Sequence, residues 1–379
     1  MKLILDSLKD LFFGFFSFKK NQKEYKYAFL VHPREIDDVF RKYPFARFFS
    51  RYLVEKFLYI YWPVVISRVT GLKTKNGEED ITGLIITIPL TAKQMINNRG
   101  LALRRILRAT KLAKNYGAKI IGLGGLTSSL SRGGLDLKEK MEVNVTTGHA
   151  YTAYNVTKNL FKLVEMFNID KTKIKVAVVG SAGSVGSSSA ELIVREGFNN
   201  LILVDLTRKL DKVKELSLGL LNLNNEINVQ VTDNIYSVKE ADFIITATNT
   251  PEAMIRNEHL KDGAVVIDDA QPSDVHPDVL KREEVLVIEA GVVYTPGVNN
   301  HFDFNLKNKH DNFCCMAEVM ILASNKWQGD YVVNRTDLDL IDRVVEMSKH
   351  LNFRLGDFQN FLEKITPERL NLIKRYYVS

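Results

Sequence analysis

The two cysteines of this 379-residue chain are adjacent, at positions 314 and 315 in the stretch FCCMAEVM. Neighbouring cysteines rarely form a disulfide, because one peptide bond holds their Cα atoms closer than a disulfide usually allows. We therefore expect free thiols, as in a reducing cytoplasm. A cysteine thiolate is both a nucleophile and a leaving group, which suits acyl transfer, whereas most free cysteines are small buried apolar residues.

Helical geometry gives the two thiols different surroundings. The stretch NFCCMAEVMILASN predicts a helix that begins near Asp311 or Asn312, both suitable N-caps. Cys315 then lies in the first turn, where the helix dipole favours a thiolate. Cys314 lies about 100° away around the helix axis, and we expect it to pack in the core.

A glycine-rich loop lies between the apolar run KVAVVG and a predicted helix, SVGSSSAELIVREG. Its spacing is G-x-x-G-x-x-G, and glycines at such a strand-to-helix turn let the backbone approach a pyrophosphate at the helix N-terminus. The alternative is a glycine-rich turn that binds no ligand. The predicted cofactor-binding residues of the loop are Gly180, Ser181, Gly183, Ser184, Val185 and Gly186.

Residues at the ends of later strands extend this predicted dinucleotide site. Asp205 ends the strand LILVDL, where an acidic side chain can accept hydrogen bonds from the adenosine ribose, which favours NADH. Arg208 and Lys209 could instead hold the 2′-phosphate of NADPH, so the cofactor is NADPH or NADH. Strand ends in an open α/β sheet bind ligands, and here they add Thr246, Ala247, Thr248 and Gly291.

Three carboxylates stand at the ends of the last two predicted strands: Asp268, Asp269 and Glu289. They could face the ligand cleft at the carboxyl edge of the sheet, or they could cap local structure. We predict no metal site.

The order of the predicted elements indicates an α/β protein with two domains. Short apolar strands alternate with helices or turns over residues 169–301, which predicts a Rossmann-type, doubly wound parallel sheet that binds NAD(P). Residues 25–168 predict an α/β N-terminal domain. Residues 302–379 return to helical patterns, and we expect these C-terminal helices to complete that first domain as the substrate-binding, catalytic unit.

The first 24 residues, beginning MKLILDSLKDLFFGFFSFKK, predict an amphipathic segment. It is too short and too charged for a membrane span, and its charges also interrupt a signal-peptide pattern. Residues 1–20 could lie on a membrane surface, or the segment could pack on its own domain or on a second subunit in an oligomer. The net charge of +7 comes from scattered basic residues, and we predict a cytoplasmic protein without a nucleic-acid partner.

Six stretches, in one order and at close spacing, resemble those of the long-chain acyl-(acyl carrier protein) reductases. They are GLGGLTSSL, VTTGHAYTAYNV, VAVVGSAGSVGS, VVIDDAQP, IEAGVV and FCCMAEVMILASNKW. The resemblance runs from about Gly122 to Leu351 and implies reduction of a fatty acyl thioester to an aldehyde. The donor would be an acyl carrier protein or coenzyme A thioester. The resemblance also implies that the acyl-accepting cysteine of the Cys-x-Ala-Glu core is Cys315.

The chain departs from that family near the candidate acid or base. The family's TTG segment is followed by Asn and, two residues later, by His. Here His149 follows Gly148 directly and Tyr151 takes the later place. We predict His149 as the catalytic acid or base, with His301 and His310 as alternatives.

A long acyl chain needs an apolar channel. The aromatic-rich segment YPFARFFSRYLVEKFLYIYW could line one, or it could be ordinary core. The helix LALRRILRATKLAK presents a basic face that could dock an acidic carrier protein, or could simply be solvated. The amides of Gly124 or Gly125, or Thr147, could stabilise an oxyanion.

The leading prediction is therefore NAD(P)H-dependent reduction of an acyl thioester to a fatty aldehyde through an acyl–Cys315 intermediate. One alternative is a shikimate-dehydrogenase-like oxidoreductase that acts on a small alcohol or ketone and needs no cysteine. The other is a non-catalytic NAD(P)-binding module.

Overall fold

We describe the fold from a computed structural model, which describes residues 26–250 and 252–377 of the chain. The predicted amphipathic segment at residues 1–24 lies outside this part of the chain, so its membrane contact stays a prediction.

The N-terminal part of the chain forms a five-stranded sheet. Its strands are β1 (Tyr27–Val31), β2 (Val64–Lys73), β3 (Asp80–Thr87), β4 (Ile120–Leu123) and β5 (Asn144–Thr146). They lie in the order β2-β3-β1-β4-β5, and every pair is parallel except the edge pair of β2 and β3. The edge strand β2 has a weak sequence signal, because its buried positions alternate with exposed polar ones such as Arg68.

The second sheet has six strands. They are β6 (Lys175–Val179), β7 (Asn200–Val204), β8 (Asn228–Thr232), β9 (Phe243–Thr246), β10 (Val265–Asp268) and β11 (Leu286–Glu289). Their order is β11-β10-β9-β6-β7-β8 and every pair is parallel, which confirms the predicted Rossmann-type fold. The strand order reverses between β6 and β9, the position where open α/β sheets bind ligands.

Helices cover both sheets. The α-helices are α1 (Ile36–Lys42), α2 (Arg51–Ile60), α3 (Ala92–Asn97), α4 (Arg99–Asn115), α5 (Leu126–Ser129), α6 (Leu135–Lys140), α7 (His149–Phe167), α8 (Ser184–Arg195), α9 (Leu210–Leu223), α10 (Cys314–Ser324), α11 (Leu338–Ser348) and α12 (Pro367–Lys374). Within residues 26–250 and 252–377, none of these helices has the length and apolarity to cross a membrane.

Helix α10 lies at the centre of the molecule and packs on β1, β4, α7 and α11. Every residue from Met316 to Ser324 is buried. A helix that is buried on all sides must be apolar on all sides, which explains why this segment shows no polar face. The helix begins at Cys314 after Phe313, whose side chain makes no capping hydrogen bond.

The predicted N-caps of this helix are wrong. Asp311 and Asn312 instead belong to the strand β13 (Asp311–Phe313), which pairs with β12 (Val292–Tyr294). A third strand, β14 (Arg354–Leu355), completes this small antiparallel sheet. The strands are only two or three residues long, too short to give a recognisable period.

The C-terminal tail differs from the predicted domain division. Helices α10 and α11 pack in one core with the first sheet, but Phe358 and Ile373 pack into the core of the second sheet. The hydroxyl of Tyr377 also donates to the carbonyl oxygens of Asp242 and Gly263. The tail therefore crosses back to the Rossmann domain and fastens the two domains together.

Candidate active site

A cavity of about 730 Å³ lies between the two sheets. Residues that follow the carboxyl ends of strands in both sheets line it, as expected for parallel sheets. The first sheet contributes His32 after β1, Gly124 after β4 and Thr147 after β5. The second sheet contributes residues after β6, β9, β10 and β11: Gly183, Ser184, Val185, Ala247, Thr248, Asn249, Asp269, Ala270, Gln271, Ala290 and Gly291.

Cys315 is half-buried and faces this cavity, whereas Cys314 is fully buried in the core. The amide of Cys314 donates to the carbonyl oxygen of Gly291 over 2.7 Å. This bond fixes the start of α10 against the Rossmann domain. The two adjacent thiols therefore lie in different environments, and only one of them can meet a ligand in the cavity.

The Cys315 thiol is held in its protonated form. Burial, and secondly the nearby Asp269, raise the pKa of Cys315 to about 12, although the amide of Met316 acts in the opposite direction. The expectation that the helix dipole favours a thiolate is thus outweighed by desolvation. A nucleophilic Cys315 needs a base that removes its proton as it reacts.

His149 lines the same cavity as Cys315. It begins α7, directly after Gly148, which is in backbone contact distance of Cys315. Burial lowers the pKa of His149 to about 4, so the ring is neutral near pH 7. Its Nε2 lies 3.3 Å from the Ser128 hydroxyl, and its buried Nδ1 has no hydrogen-bond partner in the described structure.

The two alternative histidines lie elsewhere. His301 is exposed and bonds Thr70 through Nε2 over 2.9 Å, and His310 directs Nδ1 at the carbonyl oxygen of Val298 over 3.1 Å. Neither residue lines the cavity.

Glu318 is a functional candidate that sequence reasoning missed. Its carboxylate accepts hydrogen bonds from the Tyr151 amide over 2.8 Å and from the Thr146 hydroxyl. The Glu318 side chain, which belongs to α10, thus caps the first turn of α7, where His149 lies. Burial raises the pKa of Glu318 to about 7. The sequence does contain a sign of this role, since Glu318 is the one charged residue in an otherwise apolar helix. A buried carboxylate needs hydrogen-bond partners.

Thr147 is the better of the predicted oxyanion donors. Its buried hydroxyl has no hydrogen-bond partner within the described residues, and the residue lines the cavity. The Gly124 amide is instead committed to the carbonyl oxygen of Leu30 over 2.9 Å. We therefore assign the Gly124 amide to the sheet rather than to a reacting group.

The glycine loop has the shape of a dinucleotide cradle. Gly180 adopts φ +85°, and a Cβ there would lie 2.6 Å from the Ala247 carbonyl oxygen. A Cβ on Gly186 would likewise overlap the Gly180 carbonyl. The first intrahelical bond of α8 runs from the Ser187 amide to the Gly183 carbonyl oxygen, which leaves the preceding amides at the helix N-terminus for a phosphate.

Two of the predicted cofactor-binding residues, Ser181 and Thr246, use their hydroxyls for hydrogen bonds within the protein. Ser181 is buried and its hydroxyl donates to the Val204 carbonyl oxygen over 3.2 Å. Thr246 is also buried and its hydroxyl donates to Asp268 over 2.7 Å. Any contribution of either hydroxyl to cofactor binding is therefore indirect.

Asp205 holds the glycine loop in place. Its Oδ2 accepts the Ala182 amide and its Oδ1 accepts the Leu206 amide, each over 2.8 Å, and Lys209 lies 3.2 Å from Oδ1. Arg208 is exposed on the following turn. Asp205 was predicted to bind the adenosine ribose and Arg208 the 2′-phosphate. The Asp205 carboxylate already has three partners within the protein.

The strand-end carboxylates divide into structural and cavity-facing groups. Asp268 is buried and accepts from Thr246, Ser273 and two backbone amides. Thr248 donates to Asp274 through its hydroxyl and its amide. Asp269 instead lines the cavity beside Gly291, where burial, Asp268 and Asp274 raise its pKa well above the usual range.

The aromatic-rich segment lines the apolar half of the same cavity. Its contribution comes from the 3-10 turn Pro44–Phe48 and from α2: Tyr43, Phe45, Ala46, Phe49, Leu53, Val54, Phe57, Leu58 and Tyr61. Phe302, Phe304 and Phe313 close the wall near Cys315. One continuous space therefore joins the glycine loop, Cys315 and an apolar chamber.

Parts of this chain are similar to known proteins. Residues 162–291 match the model of the shikimate / quinate 5-dehydrogenase family. Over 300 residues the chain is 29% identical to aminotransferase PigE of a Serratia species, covering 78% of this chain but 35% of that protein. Over 260 residues it is 27% identical to the long-chain acyl-[acyl-carrier-protein] reductase of Synechococcus elongatus, covering 63% and 71% of the two chains.

Among solved structures, quinate dehydrogenase from Corynebacterium glutamicum in complex with NAD has a TM-score of 0.30 at 14% identity, covering 64% of this chain and 79% of that one. The chain spans about a third of the length of the Serratia aminotransferase. The parallel strand order, the glycine cradle and the match over residues 162–291 identify an NAD(P)-binding Rossmann domain of the type that NAD(P)-dependent oxidoreductases carry, and the cofactor is NAD(P)H.

Proposed function

We propose that this protein reduces a fatty acyl thioester to an aldehyde through an acyl–Cys315 intermediate. The observation that carries the proposal is the position of Cys315, which lines one cavity together with the glycine loop and the aromatic chamber. A nucleophile between a hydride-donor site and an apolar chamber is the arrangement that this reaction needs. The distant similarity to the Synechococcus acyl-[acyl-carrier-protein] reductase supports the same reaction.

The first half of the reaction is acyl transfer. Neutral His149 takes the thiol proton as Sγ of Cys315 attacks the thioester carbonyl carbon. The Thr147 hydroxyl donates to the oxygen that becomes negative. The bond to the carrier sulfur then breaks, and the proton on His149 passes to that sulfur, so the carrier leaves as a free thiol.

The second half releases the aldehyde. The backbone of Gly183, Ser184 and Val185 would hold the cofactor pyrophosphate. NAD(P)H, when bound, would supply a hydride, which would turn the acyl–Cys315 carbonyl into a thiohemiacetal oxyanion. The bond between that carbon and Sγ then breaks, the aldehyde leaves, and the thiolate regains a proton. The half-buried Asp269, whose pKa is raised, is a nearby proton source for this return.

The donor is an acyl carrier protein or a coenzyme A thioester. The basic face of α4 supports the first choice, because Arg104, Arg108, Lys111 and Lys114 are all exposed. An acidic carrier would be attracted to such a face. The protein would then work in the cytoplasm, with membrane contact through residues 1–20 as an addition.

Intact mass spectrometry tests the proposal. The protein is mixed with acyl coenzyme A or acyl carrier protein in the absence of NAD(P)H, and an acyl adduct is expected on Cys315. Cys315→Ala should lose both the adduct and the turnover, whereas Cys314→Ala, the matched control, should keep the adduct. An adduct on Cys314, or full thioester turnover in Cys315→Ala, would overturn the assignment.

A second candidate function is oxidation or reduction of a small alcohol or ketone. The match of residues 162–291 to the shikimate / quinate 5-dehydrogenase model favours it. That chemistry needs no thiol. Turnover of such substrates at full rate in a Cys314→Ala/Cys315→Ala variant, with no reaction on thioesters, would favour this candidate over the first.

A further inference from the structure

Large apolar side chains project into solvent around the aromatic segment. Phe48 is 90% exposed, Ile60 is 74% exposed and Tyr52 is 62% exposed. We call the set the apolar collar: Phe48, Phe49, Tyr52, Leu53, Phe57 and Ile60. A contiguous apolar patch on a soluble protein commonly marks an interaction surface.

Helix α2 carries apolar side chains on its exposed side as well as on its buried side, next to the exposed Arg51, Glu55 and Lys56. Its inner side packs through Val54 and Leu58, which are buried. The outer side of a surface helix is normally polar, but here it carries Tyr52, Leu53 and Phe57, each at least half exposed. The inner side already accounts for the folding of the helix, so the outer side needs another explanation.

The collar is continuous with the cavity that contains Cys315. Phe49, Leu53 and Phe57 belong to both, because they are half exposed and also line the cavity. A chain that leaves the cavity past these side chains would enter water, which is unfavourable by about 0.8 kcal/mol for each methylene. An apolar phase outside the collar would remove that cost.

Basic residues flank the collar. The Lys56 ammonium lies 4.5 Å from the centre of the Tyr52 ring. At the other end of α2, Arg105 of α4 donates to the Tyr59 carbonyl oxygen over 2.9 Å, and the exposed Arg104 and Arg108 adjoin it. Aromatic and aliphatic side chains bordered by Lys and Arg are the composition of surfaces that lie in an anionic bilayer interface.

We propose that the apolar collar docks this protein on an anionic lipid bilayer, so that the cavity opens toward the acyl region of the membrane. The aromatic residues would enter the interface, while Lys56, Arg104 and Arg108 face lipid phosphates; the exposed Lys111 and Lys114, farther along α4, would be left for the carrier protein. The exchange of acyl chains or aldehydes with the bilayer rests on the proposed function. The docking itself does not, since it depends only on the exposed surface.

The test is co-sedimentation of the full chain with vesicles of phosphatidylcholine and phosphatidylglycerol. The variant Phe48→Gln/Ile60→Gln changes two exposed side chains and should leave the fold intact. The matched control is Leu218→Gln/Leu223→Gln, because these leucines are 63% and 50% exposed on α9, in the other domain. We expect the collar variant to bind at least tenfold more weakly, and the α9 variant to bind as the unmodified protein does.

A third variant, Phe12→Gln/Phe16→Gln, separates the collar from the N-terminal segment. Loss of binding in this variant, with unchanged binding in the collar variant, would overturn the proposal. Absence of vesicle binding by the unmodified protein would do the same. A collar variant that binds vesicles normally but loses turnover with an acyl carrier protein would also overturn it, because the collar would then be a protein interface. Vesicle binding is measured without any turnover. Failure of the proposed reaction and failure of the proposed docking would therefore be seen in separate experiments.

Discussion

Gly148 and Cys315 approach so closely that a Cβ on Gly148 would overlap the Cα and Cβ of Cys315 and lie 2.9 Å from its carbonyl oxygen. Gly148 also has φ +79°, a conformation that favours glycine. The turn before α7 and the first turn of α10 are thus in direct backbone contact. This contact brings Thr147 and His149 to the candidate nucleophile.

Replacing Gly148 by Ala should disrupt the site more than the backbone conformation alone predicts. The left-handed conformation costs a residue with a Cβ about 1–2 kcal/mol, and the overlap with Cys315 adds about 1–3 kcal/mol. Gly77→Ala is the matched control, because Gly77 has φ +74° and no atom within 4 Å of its built Cβ. Urea unfolding and the rate of acyl-adduct formation should both be measured. Equal losses in the two variants would contradict the proposed contact.

Replacing His149 should slow acylation of Cys315. A positioned general base contributes about 10²–10⁴-fold, so His149→Asn should lower the rate of adduct formation by at least about 10²-fold. His301→Asn is the control, since His301 is exposed and lies away from the cavity. Rapid-quench mass spectrometry gives the rate.

The pH profile of the same step carries a second check. The pKa of His149 is lowered to about 4, so the neutral base predominates above that value. The acylation rate should therefore be nearly constant from pH 6 to 8 and should fall as the pH approaches 4. A rate that instead rises tenfold with each pH unit from 6 to 8 would mean that solvent hydroxide ionises the thiol and that His149 is not the base.

Glu318 should make the fold less stable as the pH rises. Burial raises its pKa from 4.5 to about 7, so the native state holds the proton more tightly than the unfolded chain. Its favourable contribution is complete below pH 4.5 and is lost as the pH rises through 7. Glu318→Gln should remove this loss. The free energy of unfolding of the variant, relative to that of the unmodified protein, should therefore rise by about 2–3 kcal/mol from pH 5 to pH 8.

Chemical unfolding of both proteins at several pH values measures the difference. Glu289 and Asp274, whose pKa values are also raised to about 7, are present in both proteins and cancel. Identical pH slopes would show that Glu318 is not buried as described.

A bulky residue in the apolar chamber should shorten the acyl chain that the protein accepts. Leu58 is buried and lines the chamber. Leu58→Trp should weaken the reaction with a hexadecanoyl thioester roughly tenfold, the effect of excluding about two methylenes at about 0.8 kcal/mol each. The octanoyl thioester should react as before, and Leu58→Met, of similar volume, should alter neither. A variant with equal losses on both chain lengths would place the acyl chain elsewhere.

Local patterns account for much of the fold. The Rossmann domain was predicted from the strand KVAVVG, the glycine spacing and the helix that follows. The tight turn between that strand and that helix needs glycines, and this need does not depend on distant parts of the chain. The helix that starts at Cys314 was also predictable, although its N-cap was not. Residues Asp311–Phe313, which precede the helix, pair with the separate strand β12, and no local pattern records such a contact.

The sequence by itself determined the doubly wound domain, the dinucleotide loop and the separation of two adjacent thiols onto different sides of a helix, because each follows from local geometry. Only the tertiary structure decided the rest. It placed His149, and not His301 or His310, in the cavity with Cys315. It raised the pKa of Cys315, because packing by distant residues desolvates the thiol, and this effect is larger than the stabilisation of a thiolate by the helix N-terminus. Among residues 26–250 and 252–377 it also left the collar around Phe48 exposed, since exposure depends on how distant segments pack.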